Sequence, residues 1–260
     1  MPTSPAPHPA LSAFTNLDTP RVWSLLVTVF GDLTPDEGDC IGGPVLTHLT
    51  DSMGLKPEAV RVALHRLRKD NWIQSAKSGR TSLHSLTSYG RQLTKSVYDL
   101  IYSPLEDMPQ DWVMILTPNS DSDLRHRLES AGAVQVMPRL FIAANGIEPI
   151  PPCVTLQGTD APEWLSTQVI SADITMEFSQ LATALSRVNL TLSDCPQPDP
   201  HQTAVIRALG VHYWRRLVLR HPYLPPALTG HNWPGHQCRH EVNTLLQRLP
   251  RPKLNELKPE

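Results

Sequence analysis

Nine cationic side chains fall within forty residues of this chain: Lys56, Arg61, Arg66, Arg68, Lys69, Lys77, Arg80, Arg91 and Lys95, against Glu58 and Asp70 alone. Ammonium and guanidinium groups at that density neutralise backbone phosphates and release their counterions, and the arginine fork matches the O6 and N7 acceptors of guanine. The whole-chain charge of -2 hides this concentration. By segment the net charge is -5 over residues 1–55, +7 over 56–95, -10 over 96–199 and +6 over 200–260. A solvated basic face would give the same count, so the elements that carry these residues must decide between the two readings.

Trp23, Leu26, Val27 and Phe30 repeat at helical spacing, predicting a buried helix over residues 21–30 that closes near Gly31. An acidic, Gly-containing loop follows to Gly43. Pro44 suits the first turn of a second helix reaching Met53, Gly54 ends it, and a third helix covers Pro57–Asn71. On the third helix Val60, Ala63, Leu64 and Leu67 fall within about 100° of arc and form its core stripe. The opposite face carries Glu58, Val62, His65, Arg66 and Lys69, flanked by Arg61 and Arg68. Such a helix packs on its predecessor while lying in a major groove, with Glu58, Arg61, Val62 and His65 as the base readers and Val62 placed for a thymine methyl.

Residues 72–77 and 80–86 read as two strands joined at Ser78-Gly79, a hairpin that forms a wing after the helix-turn-helix. Lys77, Arg80 and Thr81 at its tip are placed for a phosphate or a narrow minor groove. Thr87 or Ser88 caps a further helix over Tyr89–Tyr102. Charge, helix pair and wing together favour double-stranded DNA as the ligand over a merely structural helix pair.

The remaining residues with chemical potential lie near the C-terminus. His212, Tyr213, Trp214, Arg215, Arg216 and Arg220, with Trp233 beyond them, alternate guanidinium groups with aromatic rings. Such a set serves an anionic ligand with an apolar end, or equally a dimer core. His231, His236, Cys238 and His240 also cluster, but the glutamate of a metallohydrolase motif is missing and no metal site is assigned. No G-x-S-x-G, phosphate-cradling glycine loop or paired carboxylate spacing occurs, so no catalytic residues and no cofactor are assigned. Cys40, Cys153, Cys195 and Cys238 are too dispersed for a disulfide framework, and reduced thiols in a cytoplasmic protein are expected. The longest apolar run near the N-terminus is too short and too polar for a membrane span or a signal peptide.

Between these ends, residues 112–116 predict a strand, Ser122 or Asp123 caps a helix ending at Gly132, and residues 134–142 return as strand, interrupted only by Pro138. Cys153–Leu156 adds strand and Met176–Val188 a helix, completing a small α/β domain. With 26 prolines in 260 residues, abrupt element ends are expected throughout, and four of them within the first ten residues mark a loose tail. The predicted layout is an α+β multidomain chain. It comprises a disordered tail over 1–19, a winged helix-turn-helix over 20–103, a central α/β domain over 104–195 and a helical domain over 196–260, entered through the Pro-rich stretch 195–200.

Residues 24–32 (SLLVTVFGD), 60–67 (VRVALHRL) leading into Trp72, Gly79-Arg80, Leu86-Thr87 and Gly90 resemble the PaaX family of bacterial transcriptional regulators. Residues 213–220 (YWRRLVLR), followed by Pro222, Leu224-Pro225, Leu228 and Trp233-Pro234-Gly235, resemble its C-terminal part. The resemblance implies that the central domain is similar to the ferredoxin-like Cas2 fold and that a homodimer represses transcription from a palindromic operator. It also implies release by an acyl-CoA effector, phenylacetyl-CoA or a related thioester. The chain departs from the family at residues 168–174 and at Arg220-His221-Pro222. Two other readings stand beside this one: a Cas2-like metal-dependent nuclease, for which Asp111 is the nearest acid to the first central strand, and a protein-binding module.

Overall fold

In the computed structural model the described residues are 8–158, 161–230 and 232–258. They form, in chain order, α1 (Val22–Leu33), β1 (Ile41–Gly42), α2 (Gly43–Ser52), α3 (Pro57–Lys69), β2 (Ile73–Ser78), β3 (Thr81–Leu86), α4 (Ser88–Ser96) and α5 (Tyr98–Tyr102). There follow β4 (Trp112–Leu116), α6 (Ser122–Ser130), β5 (Val134–Met137), β6 (Leu140–Ala144), β7 (Val154–Gln157) and α7 (Glu163–Val169). The chain ends in α8 (Ala172–Asp194), α9 (Pro200–Val218), α10 (Pro226–Thr229) and α11 (Pro234–Arg248). Mixed helix with two small antiparallel sheets makes this an α+β chain, the expected class.

The chain gathers into two compact units. One holds residues 8–101, 183–215 and 241–258; the other holds 102–182 and 216–240. Both are built from separated stretches, whereas hydrophobic periodicity laid the domains out consecutively, because periodicity carries no information on which distant helix closes a core.

In the first unit α1 is buried on every side from Leu25 to Leu33. It packs against α3 and β3, which explains a helix apolar around most of its circumference. Gly31 lies near its end, as expected, two residues before Leu33, where an added Cβ would stand 3.1 Å from the Thr94 methyl. Close approach of α4, and not termination, is what the glycine provides. On α3 the buried residues are Val60, Ala63 and Leu67, with Leu64 half-buried. Pro57 opens that helix and Gly54, at φ +73°, closes the turn before it.

The three-stranded sheet has the order β1-β3-β2, with all pairs antiparallel. Its hairpin register pairs Ser78 with Thr81, so the turn residues are Gly79 and Arg80, not Ser78 and Gly79. Gly79 at φ +60° supplies the left-handed first position that a two-residue turn of the II′ kind requires. Strand β1 falls within the acidic stretch expected as loop. Two residues are too few to show a period, yet Ile41 pairs with His84 and is buried. The helix expected over 89–102 is broken at Val97 into α4 and α5. Thr87 caps α4, its hydroxyl accepting from the Gly90 N–H at 3.0 Å.

The N-terminal stretch from His8 onward is placed rather than loose: Pro9–Phe14 forms a 3-10 turn, and Phe14 stacks on Tyr213 with ring centroids 5.6 Å apart. Residues 1–7 of the expected tail lie outside the described residues.

In the second unit the sheet order is β5-β6-β4-β7, again antiparallel throughout. The predicted strand over 134–142 is a hairpin that reverses at Pro138 and Arg139, the latter at φ +68°. Alternation along the sheet sends Val113, Ile115, Phe141 and Ala143 toward Leu124 and Leu128 of α6. Trp112 and Ile142 point the other way, onto Leu165 and Val169 of α7 and Leu228 of α10. Period two thus covers both faces of the sheet.

Candidate nucleic-acid interface

All ten residues singled out for DNA contact are exposed: Glu58, Arg61, Val62, His65, Arg66, Arg68 and Lys69 on α3, and Lys77, Arg80 and Thr81 at the hairpin. Val62 is 70 % exposed, the highest value among the large apolar side chains of the described residues. A bare valine on a face otherwise made of charge is placed for an apolar contact such as a thymine methyl. The buried stripe on the opposite side of α3 fixes this orientation.

These cations are not equivalent. Arg61 Nη2 donates to Glu58 Oε1 at 2.9 Å across one turn of exposed helix. Arg66 sits 5.4 Å above the Trp23 ring and reaches Asp70 Oδ2 at 3.4 Å. Trp23 meets Trp72 edge-on, and Trp72 meets Tyr89 the same way. Arg66 is therefore held to the seam where α1, α3 and α4 join, and its place in the basic face is set by packing.

A groove of about 450 Å³ runs between α2, α3 and β3. Arg61 and Arg80 line it from either side, with Thr47, Thr81 and Ser82 supplying hydroxyls and His84 its floor. Ser75 Oγ lies 2.8 Å from His84 Nδ1. Burial first, then the charge of Arg68, lowers the His84 pKa from its ordinary value, favouring a neutral ring under the groove. Sequence reasoning missed His84, because one histidine in an exposed hairpin gives no signal until β1 covers it.

The C-terminal set divides. In the first unit Trp214 Nε1 donates to the Ile101 carbonyl at 2.9 Å and the Tyr213 hydroxyl donates to that of Asp18 at 3.1 Å. His212 Nδ1 lies 3.3 Å from Thr28 Oγ1, and Arg215 bonds Thr28 Oγ1 and both oxygens of Ser24. His212 and Arg215 join α9 to α1, Trp214 joins it to α5, and Tyr213 holds the stretch before α1. In the second unit are Arg216, Arg220 paired with Glu177, and Trp233, whose ring lies 5.0 Å from Phe178 and 5.3 Å from His236. Trp233 Nε1 has no hydrogen-bond partner among the described residues.

His231 of the histidine cluster lies outside the described residues. His236 is buried and bonded to Thr229 Oγ1 at 2.7 Å, Cys238 donates to the Phe178 carbonyl, and His240 is exposed, so the three do not converge. Among the described residues no group of three or more His, Cys, Asp or Glu could hold a metal ion, and the nuclease reading gains no support. No disulfide forms, and no helix among the described residues is long and apolar enough to cross a membrane.

Known proteins match along both ends of this arrangement. The family model for PaaX-like protein covers residues 21–90, the α1 to hairpin region, and that for the PaaX-like protein C-terminal domain covers 171–255. The transcriptional repressor PaaX of Escherichia coli strain K12 is 26% identical over 262 residues, spanning 87% of this chain and 79% of its own. The solved structure of the uncharacterized protein Rv0674 from Mycobacterium tuberculosis superposes with a TM-score of 0.50 at 18% identity, covering 86% of this chain and 95% of that one. The family models and the repressor together define a regulator of transcription. The chain belongs to the PaaX-like family.

Proposed function

We propose that the chain is a DNA-binding transcriptional repressor acting as a homodimer on a palindromic operator in the cytoplasm. The observation that carries this is the outward face of α3, wholly exposed beside an exposed hairpin while its inward stripe is buried. We read α2, α3 and the β2–β3 hairpin as a winged helix-turn-helix. The N-terminal half of α3 meets base edges, while Lys77 and Arg80 meet phosphates or a minor groove. Likeness to a repressor over most of both chains supports the regulatory outcome.

The central sheet is read as a ferredoxin-like domain of the Cas2 sort. Its antiparallel order and the crossing helix α6 support that, although residues 145–153 hold no helix at the position of the second crossover. Release follows from an acyl-CoA thioester that prefers a dimer geometry mismatched to the operator, since equal affinity for both geometries would shift nothing. With His212, Tyr213, Trp214 and Arg215 engaged in packing, Arg216, Arg220 and Trp233 carry the effector reading. The aromatic group around the open Trp233 N–H supports it.

The test is a gel shift with the duplex upstream of the protein's own gene, with and without phenylacetyl-CoA. A shift at low salt that the thioester reverses is expected. No shift at low salt overturns the DNA reading, and a shift insensitive to the thioester overturns the effector.

A further inference from the structure

Glu58 is out of place on a surface that meets a polyanion. It is one of two acids among residues 56–95, it stands on the outer face of α3, and its side chain is 74% exposed. The other acid, Asp70, sits past the C-terminal end of α3 with Arg66. A carboxylate at the leading end of a groove-reading helix repels phosphates, and an exposed ion pair adds little to stability. A carboxylate in the first turn of α3 suits the helix dipole, which accounts for an acid there but not for its pairing with Arg61.

The pair's geometry does. Glu58 Oε1 takes one N–H of Arg61 Nη2, at 2.9 Å, and holds that long side chain along the outer face of the helix. The remaining donors of the guanidinium fork stay available, enough for the O6 and N7 acceptors of one guanine. Oε2 of Glu58 can accept from the exocyclic amino group of a cytosine, the base with which a carboxylate pairs in the major groove. Meanwhile the charge of Arg61, which also lines the groove beside Arg80, is partly neutralised and pulls less on any passing phosphate.

We propose that Glu58 is a specificity-determining residue: it aligns Arg61 on a guanine beside a cytosine amino group and withholds the Arg61 charge from the phosphates. The proposal rests on the DNA-binding reading above and deepens it. It makes Glu58 a residue whose loss strengthens binding to the wrong DNA. Desolvation in the groove strengthens the pair where an exposed surface would leave it weak.

The test compares the wild-type chain with Glu58→Gln and Arg61→Lys on two probes: the duplex upstream of its own gene and a scrambled duplex of equal length and composition, each titrated at several salt concentrations. Glu58→Gln is expected to bind the scrambled duplex several-fold tighter, to lose about tenfold of the preference for the upstream duplex, and to steepen the salt dependence by about one unit. Arg61→Lys, which keeps the charge and loses the fork, is expected to lose preference with the salt dependence unchanged. Thermal melting of both variants at the wild-type midpoint separates these effects from misfolding. A Glu58→Gln chain that keeps the full preference, or weakens on both probes equally, overturns the proposal while leaving DNA binding intact. A wild-type chain that binds neither probe overturns the DNA-binding reading itself.

Discussion

Arg61 and Arg207 carry the same guanidinium, and each meets a carboxylate at hydrogen-bond distance. Arg61 and Glu58 are 72% and 74% exposed, whereas Arg207 and Asp32 are 7% and 0% exposed. Arg207 Nε and Nη2 each donate to one oxygen of Asp32, at 2.8 and 2.9 Å, and Nη1 donates to the Leu249 carbonyl at 2.7 Å. That buried set ties α1, the helix beneath the basic face, to α9 and to the end of α11. Burial turns one pair into a fixed joint, and exposure leaves the other with donors that can still reach a base edge. Both segments count as basic in the sequence, so net charge does not separate a buried joint from an exposed face.

The sharpest way to break this contrast is Arg207→Ala. It strands a buried carboxylate and is expected to cost about 3–5 kcal/mol in urea unfolding, whereas a loss below about 1 kcal/mol would put both pairs in one class. On the exposed side, Arg61→Ala is expected to lose about 1–3 kcal/mol of preference between the upstream and scrambled duplexes, with melting unchanged. Arg80→Ala at the hairpin turn should weaken both duplexes alike, and a selective loss there would move the proposed base contacts from α3 to the hairpin.

A smaller effect comes from the pair of rings made by His48 on α2 and His201 on α9, whose centroids are 3.7 Å apart. Burial first, then the neighbouring His48, lowers the His201 pKa to about 4, with Asp199 acting in the opposite sense. Because the folded state takes this proton less readily than the unfolded chain, the stability linked to it is full above the ordinary value near 6.5. It is lost as pH falls from there toward 4. His201→Asn is expected to flatten the fall in melting temperature between pH 7 and pH 5 by a few degrees, and an unchanged slope would remove the pair from the packing of α2 on α9. Least of all, Asp70→Asn is expected to change stability by about 0.5 kcal/mol or less in the same urea assay, since Arg66 keeps its place over Trp23.

Much of the exposed basic face is legible in the residue order alone. The stripe of Val60, Ala63, Leu64 and Leu67 faces inward as periodicity requires, which leaves Arg61, Val62 and His65 facing outward, and the hairpin follows in the expected place. The hairpin turn was off by one residue, because Ser78-Gly79 and Gly79-Arg80 both put a glycine where a two-residue turn needs it; only the register decides. The C-terminal arginines and aromatics were legible as a group but not as two. Alternation of Arg with Trp and Tyr looks the same in a pocket and in a helix seam, and only the partners of Trp214 and Arg215 reveal the seam.

What the sequence by itself determined is local. Helix faces, the position of the hairpin, the concentration of cations and the family all follow from residue order, spacing and short motifs. The tertiary structure alone decided which cations are spent. Arg207 and Arg215 are taken up by α1, Arg66 stays exposed but is held over Trp23, and Arg61 is left on the surface with Glu58. The reason is physical: the cost of burying a charge depends on partners brought from as far as 191 residues away, and no periodicity along the chain records them.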